Sequence, residues 1–286
     1  MSAKIIDGKK LATLIAHEAA QERATLGITP GLVAVLVGDD PASHLYVSLK
    51  EKACRDAGIA FEKMLFRADA SLETVLRAIA NLNGREDIDA ILVQLPLPAP
   101  LNAERVISAI DPAKDVDGFH PENVAALRAG TPRIIPGLAA GIIALIRSTG
   151  EPLAEKSALV VANSAAFFAP LASVLEGAGC KPSFTDADAP GLTELVRSAD
   201  ILIVAVGRPA IINGAMLKPG AIVIDVGTNR VNGKTIGDVD YSSAVEVAGH
   251  LTPVPGGVGP MTIALLLKNT VALCRNRRGT KIAVGS

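Results

Sequence analysis

The stretch SALVVANSAAFFAPLASVL, residues 157–175, decides how this chain folds. Its opening SALVVA is a continuous run of small and β-branched apolar residues, the pattern of a parallel strand buried on both faces. From Leu171 to Leu175 a helical pattern begins. The segment between them reads as the strand-to-helix turn of an open α/β sheet. Such turns carry glycines where backbone must approach a pyrophosphate. This one carries none, and holds Phe167 and Phe168 instead.

Outward from that stretch the same alternation recurs. KPSFTD, ILIVAV and AIVIDVG read as three further short strands, with helical segments linking the first three of the four. GLAAGIIALIRSTG precedes them with a helical pattern. NRVNGKTIGDVD resembles a hairpin turning at Asn232-Gly233. MTIALLLKNTVALCRNR is a final helix, and the tail RGTKIAVGS has little to bury. Toward the N-terminus, GLVAVLVG (31–38) is a strand. DPASHLYVSLKEKACRDAG (40–58) is a helix with Asp40 as N-cap, Pro41 at the first helical position and Gly58 as the stop. FEKMLFRA, SLETVLRAIANLNG and AILVQLPL continue as strand, helix and strand. The fold class is therefore α/β: two α/β domains, the second a doubly wound Rossmann-like sheet. Ligands in such sheets sit at the carboxyl ends of the strands, and a two-domain chain commonly places its site in the interdomain cleft.

Composition narrows the function. The 286 residues are 49% hydrophobic and 20% charged, so the chain buries a core. Aromatic residues make up only 3%, with no Trp, so that core is built of Ala, Val, Leu and Ile. A formal net charge of −1 argues against a nucleic-acid surface. Cys54, Cys180 and Cys274 form neither a CxxC pair nor a disulfide framework, which fits a reducing compartment. MSAKIIDGKKLATLIAHEAA lacks the apolar core of a signal peptide, and the longest apolar runs are strand-length. The expectation is a cytoplasmic protein without a membrane span.

Four segments carry residue types suited to chemistry. In SHLYVSLK, helical spacing puts Ser43, Tyr46 and Lys50 on one narrow face. A lysine beside a tyrosine in a closed site has its pKa lowered by desolvation and can shuttle protons near neutrality; the plainer alternative is a surface lysine beside a packed tyrosine. In ILVQLPLP, Gln94 interrupts an apolar strand, and a buried amide there either meets a ligand's polar edge or bonds nearby backbone. DPAKDVDGFHPENV brings Asp111, Asp115 and Asp117 together, but without the ligand pattern of a calcium loop. No metal is expected: one carboxylate recognises a ligand's N–H groups, or else caps a helix. TPVPGGVGPMT (252–262) is a Gly/Pro loop before a helix, suited to close approach by a flat ligand or to a structural turn. His17, His44, His120 and His250 show no metal-ligand spacing.

The ordered set SHLYVSLKEKA, ILVQLPLP, KDVDGFHPENV, ADILIVAVGRP, GAIVIDVGTNR, GDVD and TPVPGGVGPMT resembles the methylenetetrahydrofolate dehydrogenase/methenyltetrahydrofolate cyclohydrolase family, from about residue 4 to residue 275. The resemblance implies a folate-binding catalytic domain of residues 1–138 plus the C-terminal helix 261–286, and a dinucleotide-binding-type domain of residues 139–260. It implies Lys50 as the catalytic lysine, with Tyr46 stacking on the pterin-side rings, Gln94 assisting and Asp117 holding the amino-pyrimidine edge. Ser43, Pro255, Gly256, Gly257 and Pro260 would complete the folate pocket. Ser164, Gly207, Thr228 and Thr262 would stand on the dinucleotide side, with NADP or NAD as cofactor. Tetrahydrofolate derivatives are the implied substrates, and a homodimer through the second domain the implied assembly.

Three departures fall on the dinucleotide side. The family pattern G-R/A-S-x-x-V-G-x-P is replaced by residues 162–170, which keep only Ser164 and Pro170. Gly137, Leu138 and Ala139 replace a Cys-Thr-Pro. Asp186 and Ala187, with Asp188 next, stand where the family has a His followed by Ser or Arg that helps hold a 2′-phosphate. Carboxylates there repel a phosphate, and an acid at that strand end can bind the 2′-hydroxyl of NAD. With the folate-side residues intact, the leading expectation is a methenyltetrahydrofolate cyclohydrolase whose dehydrogenase activity is weakened or lost, the phenylalanines filling a vacant groove or packing across a dimer interface. The alternatives are a fully bifunctional dehydrogenase/cyclohydrolase using NADP or NAD, and a catalytically silent folate- or partner-binding protein.

Overall fold

A computed structural model describes residues 2–282. In chain order the elements are β1 (Lys4–Ile5), α1 (Gly8–Thr25), β2 (Gly31–Val37), α2 (Pro41–Asp56), β3 (Ala60–Phe66), α3 (Leu72–Gly84), β4 (Ala90–Val93), α4 (Ala103–Ile107), α5 (Pro121–Arg128) and α6 (Gly137–Arg147). They continue as β5 (Ser157–Ala162), α7 (Ala165–Glu176), β6 (Lys181–Thr185), α8 (Leu192–Ser198), β7 (Ile201–Ala205), β8 (Ile222–Asp225), β9 (Asn229–Val231), β10 (Lys234–Ile236), α9 (Tyr241–Ala244), β11 (His250–Leu251) and α10 (Val258–Ile282). The tail RGTKIAVGS does not start where the helix ends: residues 278–282 continue α10 and Arg278 pairs with the buried Asp89, while the last four residues lie outside the described residues.

The chain divides into two compact units. One comprises the chain up to Ala12 with Leu138–Thr262, the other Thr13–Gly137 with the chain from Ile263 onward. In the Thr13–Gly137 unit, β3-β2-β4 form a parallel sheet. Every residue of β2 and β4 is buried, because α/β crossovers cover both faces of a parallel sheet. The α2 helix is set by local chemistry. Asp40 Oδ2 accepts from the Ser43 amide at 2.8 Å, Pro41 occupies the first turn, and Gly58 takes a φ of +71° just past the end.

The other unit is built on a six-stranded parallel sheet, β1-β11-β8-β7-β5-β6. From β5 the chain goes to β6 on one side and then to β7 on the other, so the order reverses between β5 and β7. Asn163 Nδ2 donates to the Val206 carbonyl at 2.9 Å across that point. The β9–β10 hairpin turns where expected, with Asn232 and Gly233 both at positive φ.

Two features differ from the sequence expectation. Residues 2–12 group with the unit of the six-stranded sheet rather than with the first domain: Lys4 and Ile5 pair with His250 and Leu251 of β11. A two-residue strand has no periodicity to read, so only its backbone pairing reveals it. The helix expected from Leu171 starts at Ala165 instead, capped by Ser164, whose Oγ accepts from the Phe167 amide. Pro170 therefore lies inside the helix rather than ahead of it. The glycine-free turn shrinks to Asn163 and Ser164.

Candidate functional site

On α2, Ser43, Val47, Lys50 and Cys54 share the inward stripe. Ser43, Val47 and Cys54 are buried, and Lys50 is half-buried. Tyr46, one turn before Lys50, is 45% exposed. The plainer alternative is thus reversed: the tyrosine is open and the lysine is the enclosed member of the pair. Burial lowers the Lys50 pKa, while the Asp117 carboxylate pulls it back up. The Lys50 ammonium donates to Gln94 Oε1 at 2.8 Å. Gln94 follows the last residue of β4; its backbone amide extends the ladder to the Val35 carbonyl, and its side-chain amide donates to Leu95 O at 2.8 Å. Both ends of the Gln94 amide are therefore engaged, and its carbonyl is aimed at the amine. Ser43 serves locally: its hydroxyl donates to Asp40 Oδ2 at 2.7 Å.

Asp117 sits in a loop organised by its neighbours. Asp115, buried, accepts from the Gly118 and His120 amides and from Asn123 Nδ2. Lys114, 1% exposed, donates to the carbonyls of Leu82, Asn83 and Arg85 at the end of α3. Asn269 of α10 donates to Val116 O and Ile135 O. These bonds fix the backbone on either side of Asp117, and none of them uses its carboxyl. Nothing in the sequence around Lys114 signals this role, and Asp115 organises the loop instead of capping a helix. Among the described residues no group of three or more His, Cys, Asp or Glu side chains gathers to hold a metal ion.

Burial pushes the Asp117 pKa up to about 7, with Asp115 adding to the rise and Lys50 opposing it. Its ordinary value is 3.8. Between those values the folded chain holds a proton that the unfolded chain has released, so stability falls as pH rises through the window and levels off above it. Asp117→Asn removes this cost. It is expected to raise the urea midpoint more at about pH 8 than at about pH 4; an equal shift at both would contradict the assignment.

In the other unit, two buried carboxylates tie together the carboxyl ends of the strands. Asp225, at the end of β8, accepts from the Gly227, Asp238 and Val239 amides. Asp238 accepts from the Val206 and Gly207 amides at 2.7 and 2.9 Å and from Asn229 Nδ2 at 2.8 Å. Burial first, then the neighbouring Asp238, push the Asp225 pKa up to about 6, against three backbone hydrogen bonds that lower it. Gly227 is required beside them: a Cβ there would lie 2.2 Å from Asp238 Cγ. The GDVD and VIDVGTNR motifs signal this pair only as part of the family pattern, since the two aspartates meet through backbone donors.

Four expected cofactor residues, Ser164, Gly207, Thr228 and Thr262, lie in this unit. Ser164 caps α7, and Gly207 and Thr228 are exposed after β7 and β8. The Thr262 hydroxyl donates to Gly259 O at 2.8 Å in the first turns of α10. Pro255, Gly256, Gly257 and Pro260 also belong here. Gly256 O accepts from the Lys9 amide, and a Cβ on Gly8 would lie 1.9 Å from Gly257 O, so this loop is packed tightly against the start of α1. Phe168 does not lie in the turn. Asn163, Ser164 and Ala165 are exposed, and the Phe168 ring packs on Phe184 of β6 at 5.5 Å. An α7 that begins at Ala165 carries that ring one turn into the helix.

The comparisons follow this division. Residues 6–117 match the description "Tetrahydrofolate dehydrogenase/cyclohydrolase, catalytic domain", and residues 136–278 match "Tetrahydrofolate dehydrogenase/cyclohydrolase, NAD(P)-binding domain". The chain is 48% identical over 279 residues to the bifunctional protein FolD of Acidiphilium cryptum, covering 97% of this chain and 100% of that protein. It is 47% identical over 287 residues to a FolD of Cereibacter sphaeroides, covering 98% and 97%. Among solved structures it is similar to FolD of Campylobacter jejuni, with a TM-score of 0.92, 37% identity and coverage of 96% and 100%. It is also similar to the Trypanosoma brucei enzyme complexed with NADP cofactor and inhibitor, with a TM-score of 0.91, 34% identity and full coverage of both chains. The expectation of a weakened dehydrogenase is therefore corrected. The NAD(P)-binding description covers the whole segment in which the departures fall, and these relatives are named as bifunctional enzymes or carry NADP. This chain belongs to the tetrahydrofolate dehydrogenase/cyclohydrolase family.

Proposed function

We propose that this chain is a bifunctional one-carbon folate enzyme, oxidising 5,10-methylenetetrahydrofolate with a nicotinamide dinucleotide and hydrolysing the methenyl product to 10-formyltetrahydrofolate. The observation that carries the reading is the enclosed Lys50 amine, hydrogen-bonded to Gln94 and electrostatically coupled to Asp117. Methenyltetrahydrofolate has a cationic amidinium carbon. Water adds to that carbon, and the carbon–nitrogen bond of the five-membered ring then breaks as the formyl carbonyl forms. One water proton ends on the departing ring nitrogen and the other in solvent. A lysine with a lowered pKa takes the first proton as its neutral amine and returns it as the ammonium. Gln94 holds that amine in place, the exposed Tyr46 ring offers a face for the pterin, and Asp117 meets its amino-pyrimidine edge.

The dinucleotide side fits its ligand. The start of α7 is solvent-facing at the point where strand order reverses, and the first amides of a helix have no intrahelical acceptor. Ser164, Gly207, Thr228 and Thr262 are the residues proposed to hold the dinucleotide. When bound, the nicotinamide accepts the hydride released by the methylene carbon. Asp238 keeps the Val206–Gly207 backbone in one arrangement. The resemblance also supports a homodimer, and the three buried, unbridged cysteines fit a cytoplasmic setting. Among the described residues no helix is long and apolar enough to cross a membrane. The test is hydrolysis of purified methenyltetrahydrofolate without any dinucleotide: the chain is expected to accelerate it, and a rate equal to the uncatalysed one would contradict the cyclohydrolase half.

A further inference from the structure

We propose that Asp186 makes this chain select NAD over NADP. The inference rests on the dinucleotide reading of the six-stranded unit and adds the choice of cofactor to it. Asp186 is the first residue after β6, the second strand of the β5-α7-β6 unit, and it lies about 20 residues beyond the turn at Ser164. That is where an open dinucleotide-binding sheet meets the adenosine ribose: an acid there accepts from the 2′-hydroxyl, and a cation there accommodates a 2′-phosphate.

The charges around Asp186 favour the hydroxyl. Asp186 is exposed, and its Oδ1 accepts from the Asp188 amide at 2.8 Å, which fixes the side chain over the turn. Its Oδ2 has no hydrogen-bond partner among the described residues. Residues 163–165, 186–191 and 206–210, which follow β5, β6 and β7, contain a single cationic side chain, Arg208, and α7 contains none. Arg208 is paired with a carboxylate: its guanidinium donates to Asp188 Oδ1 at 2.6 Å. Two carboxylates against one guanidinium leave these loops net negative. A phosphate monoester carries a charge of about −1.5 to −2 at neutral pH, so a 2′-phosphate would enter a negative field whose one cation is already paired with Asp188. A ribose hydroxyl has an acceptor waiting in Asp186 Oδ2.

The experiment measures Kd for NAD and NADP by titration calorimetry, and kcat/KM with each, for the parent chain, Asp186→Ser and Asp186→Ser/Asp188→Ser. The parent is expected to bind and use NAD at least about 10-fold better than NADP. Asp186→Ser is expected to narrow that ratio by weakening NAD and relieving NADP. Adding Asp188→Ser frees Arg208 and is expected to carry the ratio further toward NADP. Tighter NADP binding by the parent, an unchanged ratio in Asp186→Ser, or failure to bind either dinucleotide overturns the proposal. Tighter NAD binding without turnover would support the selection by Asp186 while overturning the dehydrogenase reading, so the two are told apart.

Discussion

Lys50→Met lowers the rate of methenyltetrahydrofolate hydrolysis by about 10²- to 10⁴-fold, the range expected when a positioned acid–base group is lost. Methionine keeps much of the lysine stem, so the packing beside Val47 and Cys54 survives. What is lost is the amine that Gln94 Oε1 holds at 2.8 Å. Because burial already disfavours the Lys50 charge, its removal costs the fold little, and the denaturation midpoint stays near that of the parent. Asp117 responds as a neighbour: without the Lys50 charge that opposes its rise, its pKa climbs above the value of about 7 in the parent. Lys50→Arg does not rescue the rate, since a guanidinium stays protonated and cannot act as a base. A Lys50→Met variant within tenfold of the parent rate would remove the amine from the mechanism.

Asp89→Ala produces the largest loss of stability, about 3–5 kcal/mol, the usual cost of leaving buried partners of a broken ion pair uncompensated. Asp89 is fully buried and accepts from the Gly31 amide, from Arg277 Nη1, and from Arg278 through two parallel bonds of 2.7 Å. Arg277 and Arg278 are only 17% and 23% exposed at their side chains. The cluster fastens the end of α10 to the start of β2, and Asn269, two turns earlier on α10, bonds the backbone next to Asp117. The loss is therefore expected to reach the folate-side loop as well as the sheet. A chemical-denaturation midpoint is the readout; a loss below about 1 kcal/mol would show that water replaces the carboxylate at no structural cost.

The central strands and α2 were legible because their signals are local. β2, β4, β5, β7 and β8 are short apolar runs, and Asp40, Pro41 and Gly58 mark both ends of α2. The hairpin was legible from Asn232-Gly233 alone. Lys50, Tyr46, Gln94 and Asp117 are singled out by the order of the motifs rather than by spacing on any one element. The features that escaped the sequence depend on distant partners. Arg277 reads as the last residue of a helix and Arg278 as the first of a tail with little to bury until Asp89 is seen beneath them. Asp225 and Asp238 are joined through backbone amides, which carry no residue signature. The helical pattern read from Leu171 begins about a turn and a half earlier, because Ser164 caps the helix at Ala165 and Pro170 is tolerated inside it. A start at Leu171 would put both phenylalanines in the turn. They belong to helix positions, and one of them packs on Phe184.

The measurement that bears most directly on this account is made on one purified preparation given 5,10-methylenetetrahydrofolate with NAD, and separately with NADP, following reduced dinucleotide and 10-formyltetrahydrofolate together. The account predicts that both products appear from the same chain, with NAD the preferred oxidant and the two products in step. No reduction of NAD or of NADP, by a preparation that still hydrolyses added methenyltetrahydrofolate, would contradict it, and would mean that the turn at Asn163–Ser164 belongs to a cyclohydrolase alone.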